Sequence, residues 1–366
     1  MTKRHLLLAG VTALAAIALG AASITLAPAQ QQGKLRILQS NFAGDSVSII
    51  DPATNKVVGD IKGIEAGHGL AVAPDGSRIY MSQEGLKRLI VIDGKTLQIT
   101  KVIPLTGVPN LVDITPDGRW IFVALANEYT DLSEFPTIKA QPNGGVDVID
   151  TTTLTNVKTI PIRGGIHDLN VTPDGKYVIA GGSRGAKPPA HMMNVIDTNT
   201  KEIAWSMLMN PAPSPMAITS NPDGSTKTIY GQNGGMNGFA VIDFKTQAVT
   251  GEVKLPEVPA DKLNRSGPPA PSHGIAVTPD QKTLIVNSRL NSSIYAYSLP
   301  DLKFLGGVAL GGRGAGWLTI TPDSKTAYIA NEHTNNVSAV DIASLKEVAV
   351  IPVGYAPARN ATWMQP

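Results

Sequence analysis

The sequence predicts an all-β protein, a seven-bladed β-propeller built from four-stranded antiparallel blades. One observation is a phrase that occurs seven times, in which a strand, a short loop and a second strand end in Val-Ile-Asp or a close variant. The copies are Ile37–Asp51, Ile79–Asp93, Ile121–Asp150, Tyr177–Asp197, Ile229–Asp243, Leu284–Ser298 and Tyr328–Asp341. The second observation is an apolar strand that precedes every copy except the first and closes on a Pro-Asp turn, at Pro74, Pro116, Pro173, Pro222, Pro279 and Pro322. A period of about 42 residues, lengthened by insertions, is typical of a propeller with one blade per repeat.

The first 29 residues are predicted to be a cleaved signal peptide rather than part of the fold. A basic start, Lys3–His5, is followed by the apolar run Leu6–Leu26 and by the small-residue cleavage site Ala27–Ala29. An uncleaved membrane anchor is the alternative, since the apolar run is long enough to cross a bilayer. We expect residues 30–366 to form a single propeller domain in the periplasm or outside the cell.

Composition excludes several classes of function. The chain has no cysteine, which rules out disulfides, thiolate metal sites and the covalent attachment of c-type haem. A formal net charge of +2, without runs of like charge, gives no surface suited to nucleic acid or to an anionic membrane. We therefore expect no nucleic-acid partner, and no membrane partner after signal cleavage.

The second blade shows how the residues are predicted to form strands. His68–Pro74 is a short apolar strand, Arg78–Ser82 alternates between apolar and polar residues, Leu89–Asp93 is almost wholly apolar, and Gln98–Pro104 is the outer strand. The aspartates that end the third strands precede turns rich in Thr, Asn and Lys, so we expect them to cap those turns rather than to act as catalytic acids. They are Asp51, Asp93, Asp150, Asp197, Asp243 and Asp341.

The two ends of the chain are predicted to close the ring. The segment Leu35–Gly63 supplies the second, third and fourth strands of a blade but has no innermost strand before it. The segment Asn360–Pro366 has the spacing of an innermost strand. We expect the last strand to pair with the first blade, which leaves no unpaired edge inside the ring.

The repeats also carry a family resemblance. Tyr328-Ile-Ala-Asn331 with Val337-Ser-Ala-Val-Asp341, and Ile49-Ile-Asp51 after Ser46-Val-Ser48, resemble the YVTN-type β-propeller repeat. Similar propellers occur in the heavy chains of periplasmic amine dehydrogenases, in cytochrome d1-type haem domains, in lactonases of the phosphogluconolactonase type and in accessory proteins encoded beside quinoprotein dehydrogenases. The resemblance implies the fold and does not choose among these functions.

Function is expected on one face of the ring. The loops that enter the innermost strands, and those between second and third strands, lie on that face and carry all the length variation. Tight, repetitive turns make up the other face. The long loops are Ala126–Gly145, Gly182–Met192, Met207–Met216 and Val253–His273. Loops built up on a rigid scaffold commonly carry binding and catalytic residues.

Three histidines share one position in the repeat. Counting back six residues from the proline that ends each innermost strand gives, in blade order, Asn360, His68, Asn110, His167, Met216, His273 and Gly316. This position begins the innermost strand, at the mouth of the central channel on the loop-rich face. His68, His167 and His273 therefore occur in blades 2, 4 and 6, spread roughly evenly around the ring.

Three imidazoles that converge on the axis are a plausible ligand set for Cu, Fe or Zn. His191 and His333, in loops of the same face, are possible further ligands. Candidate catalytic groups lie in the same loops, with carboxylates suited to acid–base work and guanidinium groups suited to an anion or a developing oxyanion. They are Glu84, Glu128, Glu332, Arg184 and Arg289.

A structural role is the alternative for these residues. His68 shares strand parity with Leu70 and Val72, so its ring could point between blades instead of toward the axis. The glutamates could be solvated loop residues, and polar channel mouths often hold only water. Trp317 and Trp363 are expected to be core residues between blades.

Three hypotheses on function remain open at this point. The first is a binding or accessory protein that holds a metal, a small molecule or a periplasmic redox protein at the channel mouth. The second is an enzyme, either a lactonase-like hydrolase that uses His, Glu and Arg or a His-ligated metal enzyme. The third is a protein–protein scaffold. Nothing in the sequence decides between enzyme and binder.

Overall fold

Twenty-eight strands, arranged as seven four-stranded antiparallel sheets, make up the described part of the chain. The computed structural model describes residues 33–126, 144–162, 164–182, 192–209, 212–232, 236–259, 261, 263 and 271–366. The first three blades contain β1 (Lys34–Asn41), β2 (Ser46–Asp51), β3 (Lys56–Lys62), β4 (Gly67–Val72), β5 (Arg78–Gln83), β6 (Arg88–Asp93), β7 (Ile99–Pro104), β8 (Val108–Ile114), β9 (Trp120–Ala126), β10 (Gly145–Asp150) and β11 (Thr155–Pro161). A 3₁₀ turn, Glu84–Leu86, follows β5.

The remaining strands repeat the same order. Blades 4 and 5 contain β12 (Asp168–Val171), β13 (Tyr177–Gly181), β14 (Met192–Asp197), β15 (Glu202–Leu208), β16 (Met216–Ser220), β17 (Thr226–Gln232), β18 (Gly238–Asp243) and β19 (Ala248–Lys254). Blades 6 and 7 contain β20 (Ser272–Val277), β21 (Thr283–Ser288), β22 (Ser293–Ser298), β23 (Phe304–Ala309), β24 (Ala315–Ile320), β25 (Thr326–Asn331), β26 (Asn336–Asp341) and β27 (Lys346–Pro352), and the chain ends on β28 (Pro357–Gln365).

The last strand closes the ring, as predicted. Strand β28 pairs antiparallel with β1, with Lys34 opposite Gln365 and Gln39 opposite Asn360, so that blade 1 has the order β28-β1-β2-β3. The innermost strands contact one another in the cyclic order β28, β4, β8, β12, β16, β20, β24 and back to β28. Strand β28 begins at Pro357, three residues before the predicted start, because the pairing continues past an irregularity between Gln39 and Asn41.

The hydrophobic core is divided among the spaces between blades. Seven clusters of buried side chains are present in the described residues, one at each junction between neighbouring blades. Between blades 2 and 3, for example, Tyr80 and Leu89 pack with Val123 and Ile149. Each sheet thus buries both faces on its neighbours, which is how a long all-β chain forms one ring from short blades.

The predicted turn residues do what their chemistry suggests. Each of the six aspartates that end the third strands accepts at least one backbone N–H hydrogen bond from the following turn. In Asp93 these bonds, from Thr96 first, lower the pKa of the carboxyl below its usual range. The glycines of the Pro-Asp-Gly turns, such as Gly76 at φ 73°, have the positive φ that the turn requires.

The part of the chain with described coordinates includes no helix that is long and apolar enough to cross a membrane. The predicted signal peptide falls within residues 1–32, outside the described residues, so its cleavage stays a prediction.

Trp363 tests how the closing strand is held. Its ring is 1% exposed in the cluster between blades 1 and 2, and its indole N–H donates to the carbonyl oxygen of Gly76 at 2.9 Å. We expect Trp363→Ala to lower the free energy of unfolding by about 3–5 kcal/mol, measured by urea unfolding, because it opens a cavity beside the closing strand. Trp363→Phe keeps an aromatic ring and should cost less. Equal costs for the two variants would contradict a packing role for the indole.

Candidate functional site

The position that carries the histidines lies where the innermost strands begin. His68 and His273 are the second residues of β4 and β20, and His167 directly precedes β12. In blades 2, 3, 6 and 7 the pairing of the innermost strand is irregular at this point, as between Gly67 and Leu70 of β4. A β-bulge re-aims side chains relative to strict alternation. The parity of His68 with Leu70 therefore does not fix the direction of its ring.

The three histidines surround the indole of Trp317. The ring centroid of Trp317 is 4.3 Å from that of His273, 6.1 Å from that of His167 and 6.3 Å from that of His68. The rings of His167 and His273 are 6.3 Å apart, and His68 also contacts Phe42 edge-on. His68, His167 and His273 therefore lie around one aromatic ring, that of Trp317, near the start of the innermost strands.

The two tryptophans that were expected between blades pack in different places. Trp363 does pack between blades 1 and 2. Trp317 is buried, at 3% exposure, but against the channel-mouth histidines rather than in a cluster between blades. Trp317 follows Gly316 in the irregular stretch of β24, where alternation no longer tells which way a side chain points.

His273 is held in one tautomer by its surroundings. Its Nδ1 lies 3.3 Å from the carbonyl oxygen of Gly316, to which the amide of Asn287 also donates. A carbonyl oxygen only accepts, so Nδ1 carries the proton and Nε2 keeps a lone pair. Burial, reinforced by Arg289 and His167, lowers the pKa of His273 well below its ordinary value. His273 is thus a neutral imidazole whose free nitrogen can accept a proton or a hydrogen bond.

Three of the predicted catalytic candidates follow second strands on the same face. Glu84, Arg289 and Glu332 stand directly after β5, β21 and β25. Arg289 forms a 2.5 Å ion pair with Glu332, and Arg289 is 8% exposed. Glu84 accepts a 2.8 Å hydrogen bond from the amide of Asn110, the residue that blade 3 has at the histidine position. The structure therefore brings Arg289 and Glu332 together beside His273.

A further ion pair, which the sequence did not indicate, crosses the channel. Arg359 of β28 contacts Asp168 of β12 at 2.9 Å, and the Asp168 side chain is 1% exposed. The other oxygen of Asp168 accepts a 3.0 Å hydrogen bond from the backbone N–H of Met216. The guanidinium carbon of Arg359 lies 3.4 Å from the ring centroid of Trp317. Arg359 went unnoticed because it stands one residue before the counted repeat position.

The innermost strands also carry two buried carboxyl groups, and burial disfavours their charged form. Burial raises the pKa of Asp113 to about 6, although backbone amides of Val171 and Ile114 donate to its carboxyl. Burial likewise raises the pKa of Asp168 to about 6, against the opposite effect of Arg359. A cavity of about 270 Å³ lies beside these groups and is lined by Asp168, Asn170, Met216, Ile275, Trp317 and Arg359 among others.

The described histidines do not form a ready-made metal centre. Where the structure describes the chain, no group of three or more His, Cys, Asp or Glu side chains is placed to hold a metal ion. The Nδ1 of His167 is 2.6 Å from the Ser214 hydroxyl, and Trp317 lies among the rings. Glu128, Arg184 and His191 lie outside the described residues, and His333 is exposed. Ligation of Cu, Fe or Zn by His68, His167 and His273 stays a prediction.

Sequence comparisons do not assign the chain to a family. No protein-family model matches the chain. A stretch of 103 residues is 30% identical to antigen Lp49 of Leptospira interrogans, which corresponds to 28% of this chain and 22% of that protein. The chain thus matches only about a fifth of the length of this relative.

Structural comparisons confirm the propeller. Hydrazine synthase of Kuenenia stuttgartiensis is similar with a TM-score of 0.67 and 21% identity, over 84% of this chain and 92% of that one. The periplasmic gluconolactonase of Pseudomonas aeruginosa gives a TM-score of 0.70 and 16% identity, over 91% and 99%. Dihydro-heme d1 dehydrogenase gives 0.61 and 16%, over 89% and 74%. At these identities the similarity establishes the fold and leaves the activity open.

Asp113→Asn should reduce the pH dependence of stability. A carboxyl whose pKa is higher in the folded than in the unfolded chain stabilises the fold most below about pH 4, and this contribution is lost as the pH rises through 6. The shift of about two units corresponds to at most about 3 kcal/mol. In melting experiments between about pH 4 and pH 8, the melting temperature of the variant should rise relative to that of the wild type as the pH rises. A difference in melting temperature that stays constant over this range would contradict the raised pKa.

Proposed function

We propose that this chain is a secreted, periplasmic propeller of the YVTN repeat type that binds a small polar molecule at the channel mouth. The observation that carries the proposal is the convergence of His68, His167 and His273 on Trp317, at one level of the ring. Four blades contribute to this cluster on the face where the predicted long loops lie, since blades 2, 4 and 6 supply the histidines and blade 7 supplies Trp317. The cavity of about 270 Å³ that Trp317 and Arg359 line suits a small ligand better than a large protein partner.

The fold itself does not require this cluster. At the same position in the repeat, blade 5 has Met216 and blade 7 has Gly316, and both innermost strands still pair with their second strands. His167 and His273 are 6% and 5% exposed, so each gives up most of its hydration in the folded protein. A buried histidine with a shifted pKa, as in His273, favours binding or catalysis over a purely structural role.

The residue types suggest which ligand class fits. The free nitrogen of His273 and the carboxylate of Glu332 accept hydrogen bonds, whereas Arg289 donates them. Trp317 supplies an apolar face. This combination suits a molecule with several hydroxyl groups and one carbonyl or carboxylate group, such as a sugar acid or its lactone. The fold similarity to a periplasmic gluconolactonase agrees with this class and with the periplasmic location.

Lactone hydrolysis is a second candidate, favoured by the position of the Arg289–Glu332 pair next to His273. The neutral His273 would take a proton from water as the water oxygen attacks the lactone carbonyl carbon. Arg289 would stabilise the resulting oxyanion. When the tetrahedral intermediate collapses, the ring C–O bond breaks and the leaving alkoxide takes the proton back from His273. The products are a carboxylic acid and a hydroxyl group on the same molecule.

Binding is tested by calorimetric titration with sodium gluconate and with D-glucono-1,5-lactone. We expect the wild type to bind at least one probe and His273→Ala to bind it at least about tenfold more weakly, because a hydrogen-bonding partner in a buried site is lost. His333→Ala, a change of an exposed histidine on the same face, is the matched control and should bind normally. Equal binding by His273→Ala and the wild type would contradict the proposed site.

A metal analysis distinguishes metal binding from small-molecule binding. Tag-free protein is analysed by plasma mass spectrometry before and after incubation with Cu, Fe and Zn, beside a triple variant of His68→Ala, His167→Ala and His273→Ala. Near-stoichiometric metal that disappears in the triple variant would make the histidines ligands. Metal bound to neither protein would leave the small molecule as the proposed ligand. Docking of a periplasmic redox protein on this face is a proposal that pull-down experiments address.

Hydrolysis is followed by proton release from D-glucono-1,5-lactone, after subtraction of the spontaneous rate. If the chain is a hydrolase, we expect His273→Ala to lower the catalysed rate by about 100-fold or more, since it removes the general base. Glu332→Gln, which breaks the ion pair that orients Arg289, should lower kcat with less effect on KM. A wild-type rate equal to the spontaneous rate, with binding intact, would reject hydrolysis of this lactone and leave the binding function.

A further inference from the structure

The ion pair between Arg359 and Asp168 joins parts of the ring that are as far apart as the ring allows. Arg359 belongs to β28 in blade 1, and Asp168 begins β12 in blade 4, three blades away. The pair therefore spans the channel, whereas most other contacts in the protein lie within a blade or between neighbours. It connects the strand that closes the ring to the blade that holds His167.

The pair is poorly explained by stability. The side chain of Asp168 is 1% exposed and that of Arg359 is 14% exposed, so both ions have lost much of their hydration. Burial lowers the pKa of Arg359 below its ordinary value, against the opposite effect of Asp168. Replacing such a buried pair by apolar residues is often neutral or stabilising. A role in fixing one particular arrangement of side chains accounts for it better.

The side chain that Arg359 fixes is Trp317. The guanidinium carbon is 3.4 Å from the centroid of the indole, so the planar group covers one face of the ring. Asp168 holds the guanidinium and is itself held by the N–H of Met216. The indole in turn contacts His273 at 4.3 Å between centroids and lies 26° from parallel to the ring of His167. A continuous series of contacts runs from the closing strand to the histidines.

We propose that Arg359 is a positioning residue of the channel-mouth site, which sets the plane of Trp317 and through it the arrangement of His167 and His273. The closing strand then contributes to the site as well as to the ring, and the site is complete only when β28 is docked. The effect on ligand affinity rests on the binding function proposed above. The effect on Trp317 does not, and it can be measured without any ligand.

The ligand-free test is quenching of tryptophan fluorescence by acrylamide. Each protein is compared with its Trp317→Phe counterpart, so that the difference reports Trp317 among the four tryptophans. In Arg359→Met with Asp168→Asn, which removes both charges of the ion pair, we expect the quenching constant of Trp317 to rise about twofold or more, because its covered face opens. Arg359→Lys keeps the charge but not the planar stack, and it should also raise quenching.

Arg119→Met is the matched control. Arg119 also lies over a tryptophan, 4.4 Å from the ring of Trp120, and also pairs with an aspartate, Asp150, but its side chain is 43% exposed. This change should leave the quenching of Trp317 unaltered. Unchanged Trp317 quenching in both Arg359 variants would overturn the proposal. A rise of the same size in Arg119→Met would also overturn it, because the effect would then be general.

The binding arm uses whichever of sodium gluconate and D-glucono-1,5-lactone binds the wild type. The Arg359 variants should bind it at least about tenfold more weakly, with the loss already present in Arg359→Lys. Full affinity in both variants despite altered Trp317 quenching would overturn the link to the site. If neither probe binds the wild type, the proposed ligand class fails, and the quenching result alone decides whether Arg359 positions Trp317.

Discussion

The antiparallel pairing of β28 with β1 is the contact on which the other features of this molecule depend. It joins the two ends of the chain into blade 1 and brings that blade between blades 7 and 2, so that each of the seven apolar clusters has two walls. Without it, the strands next to the gap would expose unpaired backbone groups and apolar side chains. The same pairing places Arg359 at the channel. The strand pairing that closes the ring therefore also brings Arg359 to the candidate site.

The polar groups at the channel mouth reduce the stability of the folded ring. Apolar side chains fill the spaces between blades, but the innermost strands carry histidines and the buried Arg359–Asp168 pair, and burial raises the pKa values of Asp113 and Asp168 to about 6. Each of these groups loses hydration, and only part of the loss is recovered through hydrogen bonds. A ring with an apolar core at every junction between blades can remain folded despite this loss of hydration free energy at the channel mouth. Departures from a stable packing pattern commonly coincide with functional sites.

The repeat pattern predicted the blades and the capping aspartates because both depend on residues close together in the sequence. It predicted the ring closure because the first blade has no innermost strand before it and the last segment has the spacing of one. Trp317 was expected between blades and lies at the mouth, since the irregular pairing of β24 breaks the alternation on which that expectation relied. Arg359 and Asp168 were missed because they meet across the ring.

The side chains at the channel mouth differ from blade to blade, and this difference bears on the class of ligand proposed for it. A sevenfold scaffold could present equivalent side chains around its axis, which would suit an axial ion. Here one side has the neutral His273 with the Arg289–Glu332 pair, and Arg359 covers Trp317 from another blade. An acceptor nitrogen, a donor guanidinium and an aromatic face at different points match a molecule with unlike groups at its ends. This arrangement favours an asymmetric organic molecule over a single ion held on the axis.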